Sequence, residues 1–151
     1  MFSLSELTQD IAQKFALTAH DKGIRLVGTA APNGLFVRGD IGMIERVITN
    51  LIDNAIRHTP AGGEVRLEAA PTATGVEVRV ADTGVGIAAE YLPGLFQRDS
   101  PLRQTASRYN GGLGLLIAHR ILTLHGAHIA VASEPGRGTV FSFALQAAQP
   151  G

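Results

Sequence analysis

Two asparagines one helical turn apart in an otherwise apolar run are the first residues that ask for a chemical explanation. They lie in the stretch Asn50-Leu51-Ile52-Asp53-Asn54-Ala55-Ile56-Arg57-His58-Thr59-Pro60. A spacing of four, then three to four, puts Asn50, Asn54 and either Arg57 or His58 on one helix face, and Arg46 extends that stripe one turn back. Ile41, Ile44, Val47, Ile48, Leu51, Ile52, Ala55 and Ile56 take the rest of the circumference. Asparagine is a poor interior helix former because its amide competes for backbone groups. Such a polar seam either lines a cavity and binds oxygens together with a cation, or bridges to a neighbouring loop. A second cluster is Asp82-Thr83-Gly84-Val85-Gly86-Ile87. Its glycines let backbone approach a flat ligand, and its carboxylate can accept a hydrogen from the exocyclic amine of adenine, where guanine presents an acceptor. The alternative is an ordinary strand-end turn. A third is Gly112-Leu113-Gly114 at a helix start, where free backbone amides favour anions. It is equally readable as a hinge into a core helix.

The elements that must position these residues follow from periodicity and capping. Ser3 or Ser5 caps a helix running to about Asp21, which Lys22-Gly23 ends. Strands are predicted over Ile24–Thr29 and Leu35–Arg38, joined by a turn at Ala31–Gly34. Asp40 caps the central helix, and Thr59–Gly63 terminates it. Glu64–Ala70 and Gly75–Asp82 alternate apolar and charged residues, which predicts an antiparallel hairpin with one buried and one wet face. A short helical segment is expected over Ala88–Leu92. Gln97–Asn110 is polar, Arg-rich and without period, a length at which a loop is functional or mobile. A helix opened by Gly111–Leu115 reaches Leu124 or His125, and Gly126 stops it. Ala127–Ser133 and Thr139–Leu145 are the last strands, around a tight turn at Pro135–Gly138. The tail from Gln146 is expected to fray.

Composition narrows the function classes. The 151 residues, 45% of them hydrophobic, suffice for a single domain over 1–151 with one core. Thirteen basic and thirteen acidic side chains give a net charge of zero, which argues against a nucleic-acid binder. There is no cysteine, so thiolate metal sites and disulfides are ruled out. No apolar run approaches the roughly 18 residues of a membrane span, and the start lacks the pattern of a signal peptide. The expectation is a domain without membrane contact, in the cytoplasm, with a membrane-anchored parent protein left open. His119, His125 and His128 are unevenly spaced for a metal and suit core or capping roles.

Taken in order, the chain carries N-x-x-x-N-A with Arg-His, then D-x-G-x-G, a Phe at 96, G-L-G-L, and G-x-G-T ending at Thr139. With the phrases Leu122–Gly126 and Ser133–Phe141, this resembles the ATP-binding catalytic domain of sensor histidine kinases, in the wider family that includes gyrase, Hsp90 and MutL. The resemblance covers nearly the whole chain. It implies an α+β, two-layer sandwich: a mixed, mostly antiparallel sheet of about five strands, covered on one face by about three helices. ATP would lie between the central helix and a lid at about 97–111.

By that likeness, Asn54 would hold the Mg²⁺ that bridges the phosphates, with Asn50 beside it. Arg57 and His58 would face phosphates or ribose. Asp82 would read the adenine amine, helped by Thr139 through water, while Gly84, Gly86 and Ile87 make room for the base. Gly112, Leu113, Gly114 and Leu115 would form the lid's base, and Arg98, with Arg103 and Arg108 as further candidates, would reach the γ-phosphate. The ATPases and the anti-sigma serine kinases of the family carry Glu where this chain has Asn50, and an amide cannot act as a general base at neutral pH. That favours phosphoryl transfer to a histidine on a separate helical-hairpin domain, with a response regulator downstream. The acceptor context itself is missing, since His20-Asp21 lies at a helix end. Two departures bear on rate: the lid is shortened after Arg98, and Asn110 stands at a usual glycine. The rival readings are a regulatory nucleotide-binding module without transferase activity and a partner-switching serine kinase.

Overall fold

Residues 1–28, 35–96 and 114–148 are described by the structure, a computed structural model. Caps delimit the helices. Helix α1 (Leu4–Lys22) starts at Ser3, whose Oγ accepts the Glu6 N–H at 3.3 Å. It ends at Gly23, left-handed at φ 76°. Helix α2 (Ile41–His58) starts at Asp40, whose Oδ1 accepts the Met43 N–H at 3.0 Å. At its far end Lys22 Nζ donates to the carbonyls of Ile56 and Arg57, satisfying acceptors that a helix terminus leaves open. Helix α3 (Gly114–Leu124) closes in a Schellman arrangement. Gly126 is left-handed at φ 70°, and the Ala127 N–H reaches back to the Leu122 carbonyl at 2.8 Å. That closure uses Ala127, so the strand expected from Ala127 begins only at Ala130.

The strands are β1 (Phe2–Ser3), β2 (Arg25–Gly28), β3 (Phe36–Val37), β4 (Glu64–Pro71), β5 (Gly75–Asp82), β6 (Ala130–Glu134) and β7 (Gly138–Ala148). They form one mixed sheet in the order β1-β3-β7-β5-β4-β2, with β6 also on β7, and only the β2–β4 pair is parallel among the described residues. The α+β class holds, but the sheet has seven strands rather than about five. One addition is β1, a two-residue strand on β3. The tail from Gln146 is not frayed: β7 continues to Ala148, where Ala147 and Ala148 pair with Val37 and Phe36. A six-residue 3₁₀ segment, Ala89–Gly94, stands where the short helix was expected.

Alternation supplies the core. Val65, Leu67 and Ala69 of β4, Val76, Val78 and Val80 of β5, and Phe141, Phe143 and Leu145 of β7 all bury on the face that meets the helices. From α2, Ile44, Val47, Ile48, Leu51, Ile52, Ala55 and Ile56 close over them. Ile41, placed in that apolar set by its spacing, is half-exposed in the first turn instead.

Candidate functional site

The period of two that builds the core also builds the site. On β5 the buried row Val76, Val78, Val80 continues to Asp82, and on β7 the row Leu145, Phe143, Phe141 continues to Thr139. Asp82 and Thr139 are direct cross-strand partners. Val65 flanks Asp82 on β4, and Ser133 flanks Thr139 on β6. Four strands thus end in one row, Val65-Asp82-Thr139-Ser133, whose polar members replace apolar ones on the helix side of the sheet. Asp82 is 8% exposed and Thr139 5%. Burial raises the Asp82 carboxyl above the ordinary aspartate range. The N–H groups of Gly84, at 2.8 Å, and Thr139, with the nearby His58, oppose that rise.

The two glycines after Asp82 are required by backbone packing, whatever room they also leave for a flat ligand. A Cβ at Gly84 would collide with the His58 carbonyl, and one at Gly86, left-handed at φ 76°, with the Glu134 carbonyl. The Val85 N–H donates to the His58 carbonyl at 3.1 Å, and the Gly136 N–H to the Val85 carbonyl at 2.8 Å. Residues 84–86 are therefore clamped between the end of α2 and the β6–β7 turn, which fixes where Asp82 stands relative to the helix. Ile87, just beyond, is buried, with its N–H on Ser133 Oγ at 2.7 Å.

On α2 the polar seam is real. Asn54 is 7% exposed, and its Oδ1 is buried with no hydrogen-bond partner among the described residues. Leaving such an acceptor unsatisfied costs about 1–3 kcal/mol. A buried amide oxygen is a hard donor that suits a hard cation or a ligand hydrogen. Asn50, half-buried one turn back, donates from Nδ2 to the Gly114 carbonyl at 3.1 Å, tying α2 to the start of α3. Of the two residues left open by spacing, His58 stays with the seam. Its Nδ1 lies 2.8 Å from the Asn54 carbonyl, an acceptor only, so Nδ1 carries the proton. Arg57 turns toward Asp53, 3.1 Å away on the exposed side. Followed toward its N-terminus, the asparagine face carries Arg46 and Met43, which line a groove of about 940 Å³ with Phe96, Ile117, His119 and Leu124. Phe96 and His119 stack there, ring centres 5.1 Å apart.

Of the remaining candidates, Leu115 is buried in the core at the start of α3. Arg98, Arg103, Arg108, Gly112 and Leu113 lie outside the described residues, as does the whole of the expected lid at 97–111. Among the described residues no cluster of three or more His, Cys, Asp or Glu side chains could hold a metal ion, and no helix is long and apolar enough to cross a membrane. Spacing alone missed Ser133 and Lys22. Ser133 was legible in principle, six residues before Thr139 across a tight turn; Lys22 was not, because its partners are 34 and 35 residues away.

Three kinds of similarity meet at this site. Residues 39–149 match the model of the histidine kinase-, DNA gyrase B- and HSP90-like ATPases. The adaptive-response sensory kinase SasA of Crocosphaera subtropica is 34% identical over 143 residues, which is 94% of this chain and 37% of that protein. The sensor-like histidine kinase SenX3 of Mycobacterium tuberculosis is 37% identical over 123 residues, 80% of this chain and 30% of that protein. The chain therefore spans roughly a third of the length of the curated relatives it matches. The nucleotide-free catalytic domain of histidine kinase ThkA superposes with a TM-score of 0.82 at 26% identity, covering 99% of this chain and 96% of that one. Full-length ShkA in complex with AMPPNP gives 0.83 at 30% identity, covering 99% and 31%.

Proposed function

The chain belongs to the histidine kinase-, DNA gyrase B- and HSP90-like ATPase family as an ATP-binding domain of the histidine-kinase type, and from that premise we propose that it presents the γ-phosphate of ATP·Mg²⁺ to a histidine on a separate helical-hairpin domain. The observation that carries this reading is the buried, unpartnered Oδ1 of Asn54, on a helix whose last residue, His58, is braced against the segment following Asp82.

Each residue then has a task set by its chemistry. Asp82, ionised, accepts the amine hydrogen of adenine and repels the carbonyl of guanine, with Thr139 assisting through a water. Asn54 would hold Mg²⁺ through its amide oxygen, the kind of hard donor that ion takes. The chemistry such an ion would supply is neutralisation of phosphate charge. Asn50 spends its donor on Gly114 and so holds the start of α3 beside α2; Gly112 and Leu113 are assigned to the phosphates. His58 is assigned to the phosphates or ribose; Arg57, paired with Asp53 on the exposed side, would reach them only by leaving that ion pair, and Arg98 is assigned to the γ-phosphate. An imidazole nitrogen of the partner forms the new N–P bond, the bond to the β-phosphate oxygen breaks, and ADP leaves. The imidazole proton goes to a base on the partner, because Asn50 cannot take it. The domain's contribution is positioning and charge stabilisation.

The parent's partners follow from the same reading: the acceptor hairpin, in the same or another chain, and a response regulator, as in the solved complex of ThkA with the regulator TrrA. A cytoplasmic location fits a domain that draws on ATP. Mixing the chain with ATP, Mg²⁺ and a cognate hairpin domain should yield phosphohistidine on the hairpin. Tight ATP binding with no transfer under those conditions would leave a regulatory nucleotide-binding module instead.

A further inference from the structure

The hydroxyl of Ser133 makes three contacts. The Ile87 N–H donates to it at 2.7 Å, the Gly138 carbonyl accepts from it at 3.0 Å, and Thr139 Oγ1 lies 2.8 Å away. A serine hydroxyl has one hydrogen and two lone pairs. The hydrogen goes to the carbonyl, which has none to give, and one lone pair takes the Ile87 N–H. The remaining lone pair can only accept, so the hydrogen between the two hydroxyls belongs to Thr139. Thr139 is thereby left with lone pairs alone on its remaining side, next to the carboxylate of its cross-strand partner Asp82.

We infer that Ser133 is a positioning residue for base selectivity: by consuming the Thr139 hydroxyl hydrogen it keeps the end of the purine pocket an all-acceptor surface. This rests on the reading of Asp82 and Thr139 as the adenine site. An all-acceptor edge demands donors. The exocyclic amine of adenine supplies one to Asp82, and a water donating both ways links the adjacent ring nitrogen to Thr139. Guanine offers a carbonyl where the amine should be. A Thr139 hydroxyl released from Ser133 would rotate its hydrogen toward Asp82 or toward that carbonyl, weakening the demand for an amine and easing the exclusion of guanine. Ser133 touches no base in this scheme, and its action passes entirely through Thr139.

The test is a set of affinities for ATP and GTP by calorimetry, with melting temperature followed in parallel, on the wild type, Ser133→Ala, Ser133→Thr, Thr139→Val, the Ser133→Ala/Thr139→Val double variant and Asp82→Asn. Ser133→Ala should lower the ATP-over-GTP ratio about three- to tenfold, the scale of one hydrogen bond. Ser133→Thr, which keeps the hydroxyl, should restore the ratio, and Ser133→Ala should add nothing once Thr139 is valine. An unchanged ratio in Ser133→Ala alongside a lower melting temperature would make Ser133 a structural pin only and overturn the inference, as would a full effect persisting in the valine background. Should Ser133→Ala fail to fold, Ser133→Cys, with its weaker donor and acceptor, is read in its place with the same expectation. If Asp82→Asn leaves the ratio unmoved, the adenine site itself is wrong; if Asp82→Asn collapses it and Ser133→Ala does not, only the role of Ser133 falls.

Discussion

A carboxylate on the core side of a sheet works against stability, and Asp82 is in that position. Burial raises its pKa, so the folded chain holds the proton more tightly than the unfolded one. As pH rises above the ordinary aspartate value of about 3.9 and through the raised one, the unfolded state releases its proton first, and stability is lost across that window. Asp82→Asn should remove this pH dependence and raise the melting temperature of the nucleotide-free chain at neutral pH, while reducing ATP binding; thermal melts from pH 4 to 8 with and without the substitution check it. The same rise moves base selectivity. Protonated, Asp82 can donate to the carbonyl of guanine, so the preference for ATP over GTP should narrow as pH falls through the raised value, and a ratio flat with pH would exclude Asp82 from the base. Asp82 was legible in sequence because it extends the apolar row Val76, Val78, Val80 by one step of two. The reason for Gly84 was not, since the carbonyl it accommodates belongs to His58, 26 residues earlier and on another element.

Among elements, α2 carries both the core and the seam, and its two ends are held by different means. At the start, the Asp40 carboxylate caps the Met43 N–H while its own N–H donates to His125 Nε2 at 3.1 Å, joining the end of α3 to the start of α2. Asp40→Ala should cost about 1 kcal/mol in chemical denaturation, the usual worth of a helix N-cap. At the other end, the clamp of residues 84–86 against His58 leaves no room for a side chain. Gly84→Ala should therefore destabilise by about 1–3 kcal/mol through overpacking and displace Asp82 from the helix; unchanged stability with unchanged ATP affinity would show the clamp to be dispensable. Capping chemistry and the 3.6-residue period made α2 readable to within a residue at both ends, from the Asp40 cap to Thr59. The tie from Asn50 to Gly114 joins positions 64 residues apart and leaves no local trace.

For the molecule as a whole, β7 is the organising strand. It pairs with β5 along most of its length, with β6 beside the site, and with β3 at its far end. Its first residues place Thr139 next to Asp82 and Ser133, and its last residues pair with β3, which in turn carries the edge strand β1. β1 has two residues, too short for any alternation to register, which is why it escaped a reading by periodicity, whereas β3 falls inside the strand expected over Leu35–Arg38. The helical layer, the β4–β5 hairpin and the polar ends of the apolar rows were readable because each is a local repeat. Ties between residues distant in sequence, such as Lys22 to Ile56 and Asn50 to Gly114, follow no local repeat. Asn54 is the proposed metal-side ligand of a bound triphosphate. Calorimetric titration of the wild type and Asn54→Ala with ATP, in Mg²⁺ and in EDTA, measures this most directly. The wild type should bind more tightly with Mg²⁺ and the variant should lose that gain; an Asn54→Ala chain that keeps the full Mg²⁺ enhancement would contradict it.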